Sequence, residues 1–267
     1  MHQKRLALIG GGQMGRALVG GILSSSVLKP DEVCLVDPCV ETQAWWSHHH
    51  PDVAVTGLVE AVESSGVVLL AVKPNLISTV IGTEGADFSD RLVISIAAGI
   101  SLQQLSSLVG HERVVRVMPN TPSLVRSGAS GFCCGGAVEA SDADWVSSLL
   151  ECVGLAVQVS EAQMDAVTGL SGSGPAYVCM VIEALADGGV QAGLPRPLAM
   201  RLATQTVLGT AKMIQETGRH PGELKDAVAS PGGTTIAAIA ALEENGLRAA
   251  LMQAVLASAN RSRDLGN

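Results

Sequence analysis

Leu6-Ala7-Leu8-Ile9-Gly10-Gly11-Gly12-Gln13-Met14-Gly15 is the stretch that decides the fold. Four apolar residues read as a strand buried on both faces, then run into glycines spaced G-x-G-x-x-G at Gly10, Gly12 and Gly15, with a helical pattern after them. In that setting each glycine has a task. The first allows a tight turn, the second lets a pyrophosphate approach the backbone, and the third lets helix and strand pack closely. Outside a first strand-helix-strand unit the same spacing is only a glycine-rich turn.

Working outward, short β-branched runs at 33–36, 67–72, 92–96 and 114–117 alternate with helical patterns at 15–25, 40–48, 59–64, 75–81 and 102–108. Weaker runs at 131–134 and 156–159 add edge strands. The expectation is a doubly wound α/β domain, mainly parallel, over residues 1–160. From residue 161 the pattern becomes all-helical, at 163–170, 176–192, 196–216, 222–229, 235–244 and 246–262. Two of these helices are apolar on more than one face and belong to a small domain, so a homodimer interface is expected to cover them.

Composition narrows the function. The chain has 267 residues, 25 acidic against 17 basic, a net charge of −8 and 2% aromatic residues. General binding to nucleic acid or anionic lipid is disfavoured, and base stacking more so. The six cysteines form no C-x-x-C pair and read as reduced thiols. The basic start at residues 1–5 precedes an apolar run too short for an export signal, and Glu183 and Asp187 interrupt the most apolar helix. A cytoplasmic protein, with no membrane or metal partner, is expected.

Several positions invite chemistry. Asp37 closes the second strand about 20 residues after the last glycine, where a carboxylate accepts from the ribose hydroxyls of NADH. No Arg or Lys occurs between Pro38 and Lys73, so a 2′-phosphate finds no cation nearby in sequence. The alternative for Asp37 is an Asp-Pro turn. Val72-Lys73-Pro74, Ala98 and Asn120 lie at ends of later strands, the edge where ligands collect in such folds. Lys73 suits a cofactor phosphate or the nicotinamide side, and Asn120 suits either cofactor binding or a junction between domains. Trp45-Trp46 reads as a helix anchor, and His48-His49-His50 as a solvated stretch. In Ser230-Pro231-Gly232-Gly233-Thr234-Thr235 a glycine turn meets hydroxyls at a helix start, the build of a small carboxylate site or, alternatively, of a threonine N-cap.

Together with Ser171-Gly172-Ser173-Gly174-Pro175, Gly193-Leu194-Pro195-Arg196 and His220-Pro221-Gly222-Glu223-Leu224-Lys225-Asp226, that turn resembles the pyrroline-5-carboxylate reductase family over nearly the whole chain. The resemblance implies NAD(P)H-dependent reduction of 1-pyrroline-5-carboxylate to L-proline, the last step of proline biosynthesis. It also implies a Rossmann-type domain, a helical dimerisation domain over 161–267, and dimers gathered into a larger, decameric ring. Carried over by position, Gly10, Gly12, Gln13, Met14 and Gly15 hold pyrophosphate, and Val72, Lys73, Pro74 and Ala98 line the cofactor. Gly232, Gly233, Thr234 and Thr235 hold the substrate, Thr235 being the closest to a catalytic residue. Asp37-Pro38-Cys39 departs from the family's pattern for the phosphorylated cofactor and leans toward NADH.

A protonated cyclic imine accepts hydride without a triad or metal, so positioning is the protein's main task. Two rival readings remain at this stage. A related imine or 3-hydroxyacid reductase would use a helical-domain lysine, Lys212 or Lys225 being available; a silent dinucleotide sensor would use the helical half as an interaction surface.

Overall fold

Each apolar run of the first half alternates its side chains between two buried faces, and that alternation builds the sheet. The computed structural model describes residues 5–266, so the first four residues of the basic start lie outside it. Among the described residues the strands are β1 Leu6–Ile9, β2 Val33–Val36, β3 Ala54–Val55, β4 Val67–Leu70, β5 Leu92–Ser95, β6 Val114–Met118, β7 Gly128–Cys134 and β8 Gly154–Gln158. They lie in the order β3-β2-β1-β4-β5-β6-β7-β8. Pairing is parallel from β3 to β6, then antiparallel between β6 and β7, and β7 pairs parallel with β8. Strand order reverses direction at β1, which opens a crevice at the carboxyl edge beside the glycine turn.

One face of the sheet packs Leu6, Leu8, Leu35 and Ile94 against three helices, α1 Gln13–Ser24, α2 Val40–His49 and a later one described below. Leu18 and Ile22 of α1 and Trp46 of α2 are their buried anchors. The other face packs Ile9, Val68, Leu70 and Val93 against Val62, Ile77 and Leu105, carried by α3 Leu58–Ser64, α4 Ile77–Ile81 and α5 Leu102–Val109. Each such side chain contributes about 1.5–3 kcal/mol on burial.

Two elements escape the sequence pattern. Helix α6, Ala140–Glu151, follows two glycines, begins at Glu139 without a side-chain cap and has a polar first turn. Tertiary bonds hold it instead: buried Asp142 accepts from Arg113 Nε at 2.9 Å and Nη2 at 3.1 Å. Strand β3 is two exposed residues, too short to carry a period. The run at 67–72 stops being strand at Leu70, and the 75–81 pattern divides into a 3₁₀ turn, Pro74–Leu76, and α4.

The chain divides into two compact units, the first running to Ser173 and resuming at Ala257, the second Gly174–Leu256. This differs from a division at residue 160, because the segment after β8 is tied back to the sheet. Glu161 accepts from Arg116 Nη1 at 2.7 Å, from the Leu102 amide at 3.1 Å and from Cys133 Sγ at 2.8 Å. Burial and that bond to Glu161 push the Cys133 thiol well up, so it is an inert packed group. Short helix α7, Met164–Val167, leads into a π turn, Thr168–Gly172.

The second unit consists of α8 Gly174–Gln191, α9 Arg196–Thr217, α10 Pro221–Ala227, α11 Thr234–Glu244 and the first half of α12 Leu247–Gly266. Its buried cluster is small, Ala186, Ala199 and Ala203, while Met180, Leu208 and Met252 remain more than half exposed. That is the surface of a unit completed by association. No helix among the described residues is long and apolar enough to cross a membrane.

Trp46 is fully buried and donates from Nε1 to the Gly11 carbonyl at 3.0 Å. Trp46→Ala is expected to lower unfolding free energy by about 3–5 kcal/mol, read from denaturant melts. A loss below about 1 kcal/mol would show that α2 is not anchored this way.

Candidate functional site

The glycine turn is built as its spacing implies, and the structure separates the three roles. Gly10 has φ +99°, and a Cβ there would lie 2.6 Å from the Ala71 carbonyl oxygen. At Gly15 a Cβ would lie 2.5 Å from the Gly10 carbonyl oxygen. The fold itself therefore demands both. Gly12 is different: its φ is −67°, and an added Cβ meets no atom within 4 Å. The missing side chain there leaves room for something outside the chain, as a dinucleotide pyrophosphate requires. Gly12 is also the N-cap of α1 and supplies no side chain to the helix start, so the first-turn amides of Gln13, Met14 and Gly15 remain for an anion.

Beside this turn lies a cleft of about 340 Å³ lined by Met14, Val72, Lys73, Pro74, Ala98, Met118, Asn120 and Gly172, with their neighbours. The structure thus gathers from three separated segments the residues that the sequence placed at strand ends, Val72 to Pro74, Ala98 and Asn120. Lys73 is exposed at the mouth, and Ala98 leaves a low wall. Gly172, in the π turn, is a wall residue that sequence reasoning did not assign to this cleft; a Cβ there would lie 2.5 Å from Met118 Cε. Single π turns of this kind recur at functional sites.

Asn120 shows the junction role that its position in the sequence also allowed. Its amide is buried and spent on protein, donating from Nδ2 to the Ser171 carbonyl at 3.1 Å and accepting at Oδ1 from the Ala129 amide at 2.9 Å. It shapes the cleft by tying the end of β6 to β7 and to the π turn, with one bond at each end of its amide. Asp37 is also engaged: Oδ2 accepts from the Gly11 amide at 2.7 Å and Oδ1 from the Cys39 amide at 2.9 Å. The Asp-turn alternative is therefore real, and the same carboxylate steadies the glycine loop.

The SPGGTT segment resolves its own alternatives. Gly233 is the N-cap of α11, no side chain caps the helix, and Thr234 and Thr235 occupy its first turn. Capping by a threonine is excluded. Gly232 takes φ +67°, and the Gly233 amide closes a turn onto the Ser230 carbonyl at 3.0 Å. Thr235 is half-buried in the first turn of α11. The lysines that a hydroxyacid reductase would need are paired, exposed Lys212 with Glu216 at 3.5 Å and half-buried Lys225 with Asp226 at 2.5 Å. Tyr177 donates to the Ala254 carbonyl and Ser171 to the Val167 carbonyl, which leaves neither hydroxyl aimed at a ligand. Among the described residues no cluster of His, Cys, Asp or Glu can hold a metal.

Comparison with known proteins agrees with this layout. Residues 161–265 match the family described as pyrroline-5-carboxylate reductase dimerisation, and residues 5–99 match NADP oxidoreductase coenzyme F420-dependent. The chain is 43% identical over 262 residues to the pyrroline-5-carboxylate reductase of Synechocystis, covering 98% of both chains. Its structure is similar to that of a pyrroline-5-carboxylate reductase from Coxiella burnetii, with TM-score 0.91, 35% identity and 99% of both chains covered. It is also similar to the Plasmodium falciparum pyrroline carboxylate reductase solved with NADP bound, with TM-score 0.88, 32% identity and complete coverage.

Gly12→Ala is expected to leave stability within about 1 kcal/mol of the parent while weakening NADPH binding at least tenfold. Gly15→Ala is expected to destabilise by about 1–3 kcal/mol, because its Cβ has nowhere to go. Paired thermal melts and cofactor titrations check both. Unweakened binding in Gly12→Ala would remove the pyrophosphate from this turn.

Proposed function

The chain belongs to the pyrroline-5-carboxylate reductase family and catalyses NAD(P)H-dependent reduction of 1-pyrroline-5-carboxylate to L-proline; on that premise we propose how its residues divide the work. The observation that carries the cofactor half is Gly12, a glycine the fold does not need and a pyrophosphate does. Bound NAD(P)H supplies the hydride. Residues 1–160 bind the cofactor, with Gly10, Gly12, Gln13, Met14 and Gly15 around the pyrophosphate. Val72, Lys73, Pro74 and Ala98 line the cleft toward the nicotinamide, Lys73 adding positive charge at its mouth. Asn120 positions the wall.

Residues 161–267 bind the substrate and pair the subunits. The free amides at the start of α11 and the Gly232-Gly233 turn hold the substrate carboxylate, and the Thr235 hydroxyl hydrogen-bonds the ring nitrogen. An iminium carbon already accepts hydride, so this bond orients the ring more than it activates it. The exposed apolar helices of the second unit support a homodimer, and a decameric ring of dimers is the larger assembly we propose. Six free cysteines support a reducing, cytoplasmic setting.

Asp37, beside the glycine turn, favours a ribose 2′-hydroxyl over a 2′-phosphate and leans the enzyme toward NADH. Oxidation of NADH or NADPH on addition of 1-pyrroline-5-carboxylate is the direct assay; no oxidation with either cofactor would overturn the whole reading. Thr235→Val is expected to lower turnover about 100-fold with cofactor affinity unchanged, and an unaltered kcat/KM would remove Thr235 from the mechanism. Asp37→Ser is expected to raise the NADPH to NADH ratio of kcat/KM. A parent enzyme that strongly prefers NADPH would contradict the role given to Asp37.

A further inference from the structure

The peptide of Gly11 is held by side chains of opposite charge. Its N–H donates to Asp37, while its carbonyl accepts from Trp46 Nε1 at 3.0 Å and from Arg16 Nε at 3.2 Å. The Arg16 guanidinium lies over the Trp45 ring, its carbon 4.3 Å from the ring centroid, and Trp45 in turn stacks on His49 at 4.2 Å and 16°. Arg16 is half-buried and, among the described residues, pairs with no carboxylate. Only Nε is committed; both Nη groups keep their donors. The sequence offers no cation between Pro38 and Lys73, yet the fold brings one to the glycine loop from α1.

We propose that Arg16 is a specificity-determining residue that admits a 2′-phosphate on the adenine ribose, so that Asp37 and Arg16, bonded to the N–H and the carbonyl of the same residue, Gly11, set the balance between NADH and NADPH. The inference rests on the dinucleotide reading of the Gly10–Gly15 turn. A guanidinium suits the task because its planar fork meets phosphate oxygens in pairs, and because the Trp45 ring beneath it holds it without neutralising it. Asp37 has both carboxylate oxygens on backbone amides, which weakens its repulsion of a phosphate and leaves Arg16 as the uncommitted charge. A 2′-phosphate takes up the Nη donors while Nε stays on Gly11.

Two small ligands test this without turnover. Adenosine 2′,5′-bisphosphate and AMP differ by the 2′-phosphate, and calorimetry compares them on the full chain, on Arg16→Gln and on Arg16→Lys. The parent is expected to bind the bisphosphate about as well as AMP at low salt, Arg16 offsetting the repulsion from Asp37, with tryptophan fluorescence shifting more for the bisphosphate as the cation over Trp45 engages it. Arg16→Gln is expected to weaken the bisphosphate at least about tenfold with AMP affinity within about twofold, and Arg16→Lys to lose less. Unchanged bisphosphate affinity in Arg16→Gln would overturn the inference, as would weakening of both ligands alike, since Arg16 would then only brace the loop. A parent that binds NADH and NADPH but neither fragment would also overturn it, whereas failure to bind either dinucleotide sinks the cofactor reading beneath it.

Discussion

A glycine-rich turn with no side chains of its own cannot hold a shape, and this one is held from outside at Gly11. Asp37 bonds its amide, and Trp46 and Arg16 bond its carbonyl, so the peptide between Gly10 and Gly12 is fixed by groups from β2's end, α2 and α1. Trp46 is the anchor of α2 in the core, which couples the packing of that helix to the shape of the loop. With the peptide pinned, Gly12 can stand open and the first turn of α1 can present its amides. The arrangement is costly to build and cheap to use, because the loop need not order when a ligand arrives.

The opposite wall of the cleft is held by a second set of polar bonds. Arg116 and Glu161 join β6 to the chain that follows β8, and Asn120 ties the same strand's end to the π turn. The last turn of α12 closes onto this region as well. Gln104 donates to the Gly266 carbonyl at 3.1 Å, and Ser262 donates to Asp165 at 2.8 Å. These bonds explain why residues 161–173 and 257–266 pack with the sheet while the helices between them form their own unit.

What the sequence shows clearly is what depends on neighbours in sequence. Apolar runs marked β1, β2, β4, β5 and β6 within two residues, and the glycine spacing placed the turn, since both signals are local. Helix α6 was not legible, because its start has no cap and its stability comes from Arg113 meeting Asp142 across the fold. Arg16 is hidden for a similar reason: it precedes Asp37 in sequence, in α1, and only the fold brings it to the glycine loop. The double commitment of the Asn120 amide depends on Ser171 and Ala129, neither close in sequence, so strand-end placement identified the residue without its role. The threonines of SPGGTT were ambiguous in sequence between cap and site; the structure makes Gly233 the cap, with no side chain capping the helix.

The central claim is that hydride passes directly from a dinucleotide in the carboxyl-edge cleft to the imine carbon of a small cyclic amino acid. Deuterium transfer tests it most directly. With cofactor deuterated at the transferred position of nicotinamide C4 and 1-pyrroline-5-carboxylate in ordinary water, the account predicts L-proline carrying one deuterium at C5. Proline formed without deuterium at C5 would contradict it.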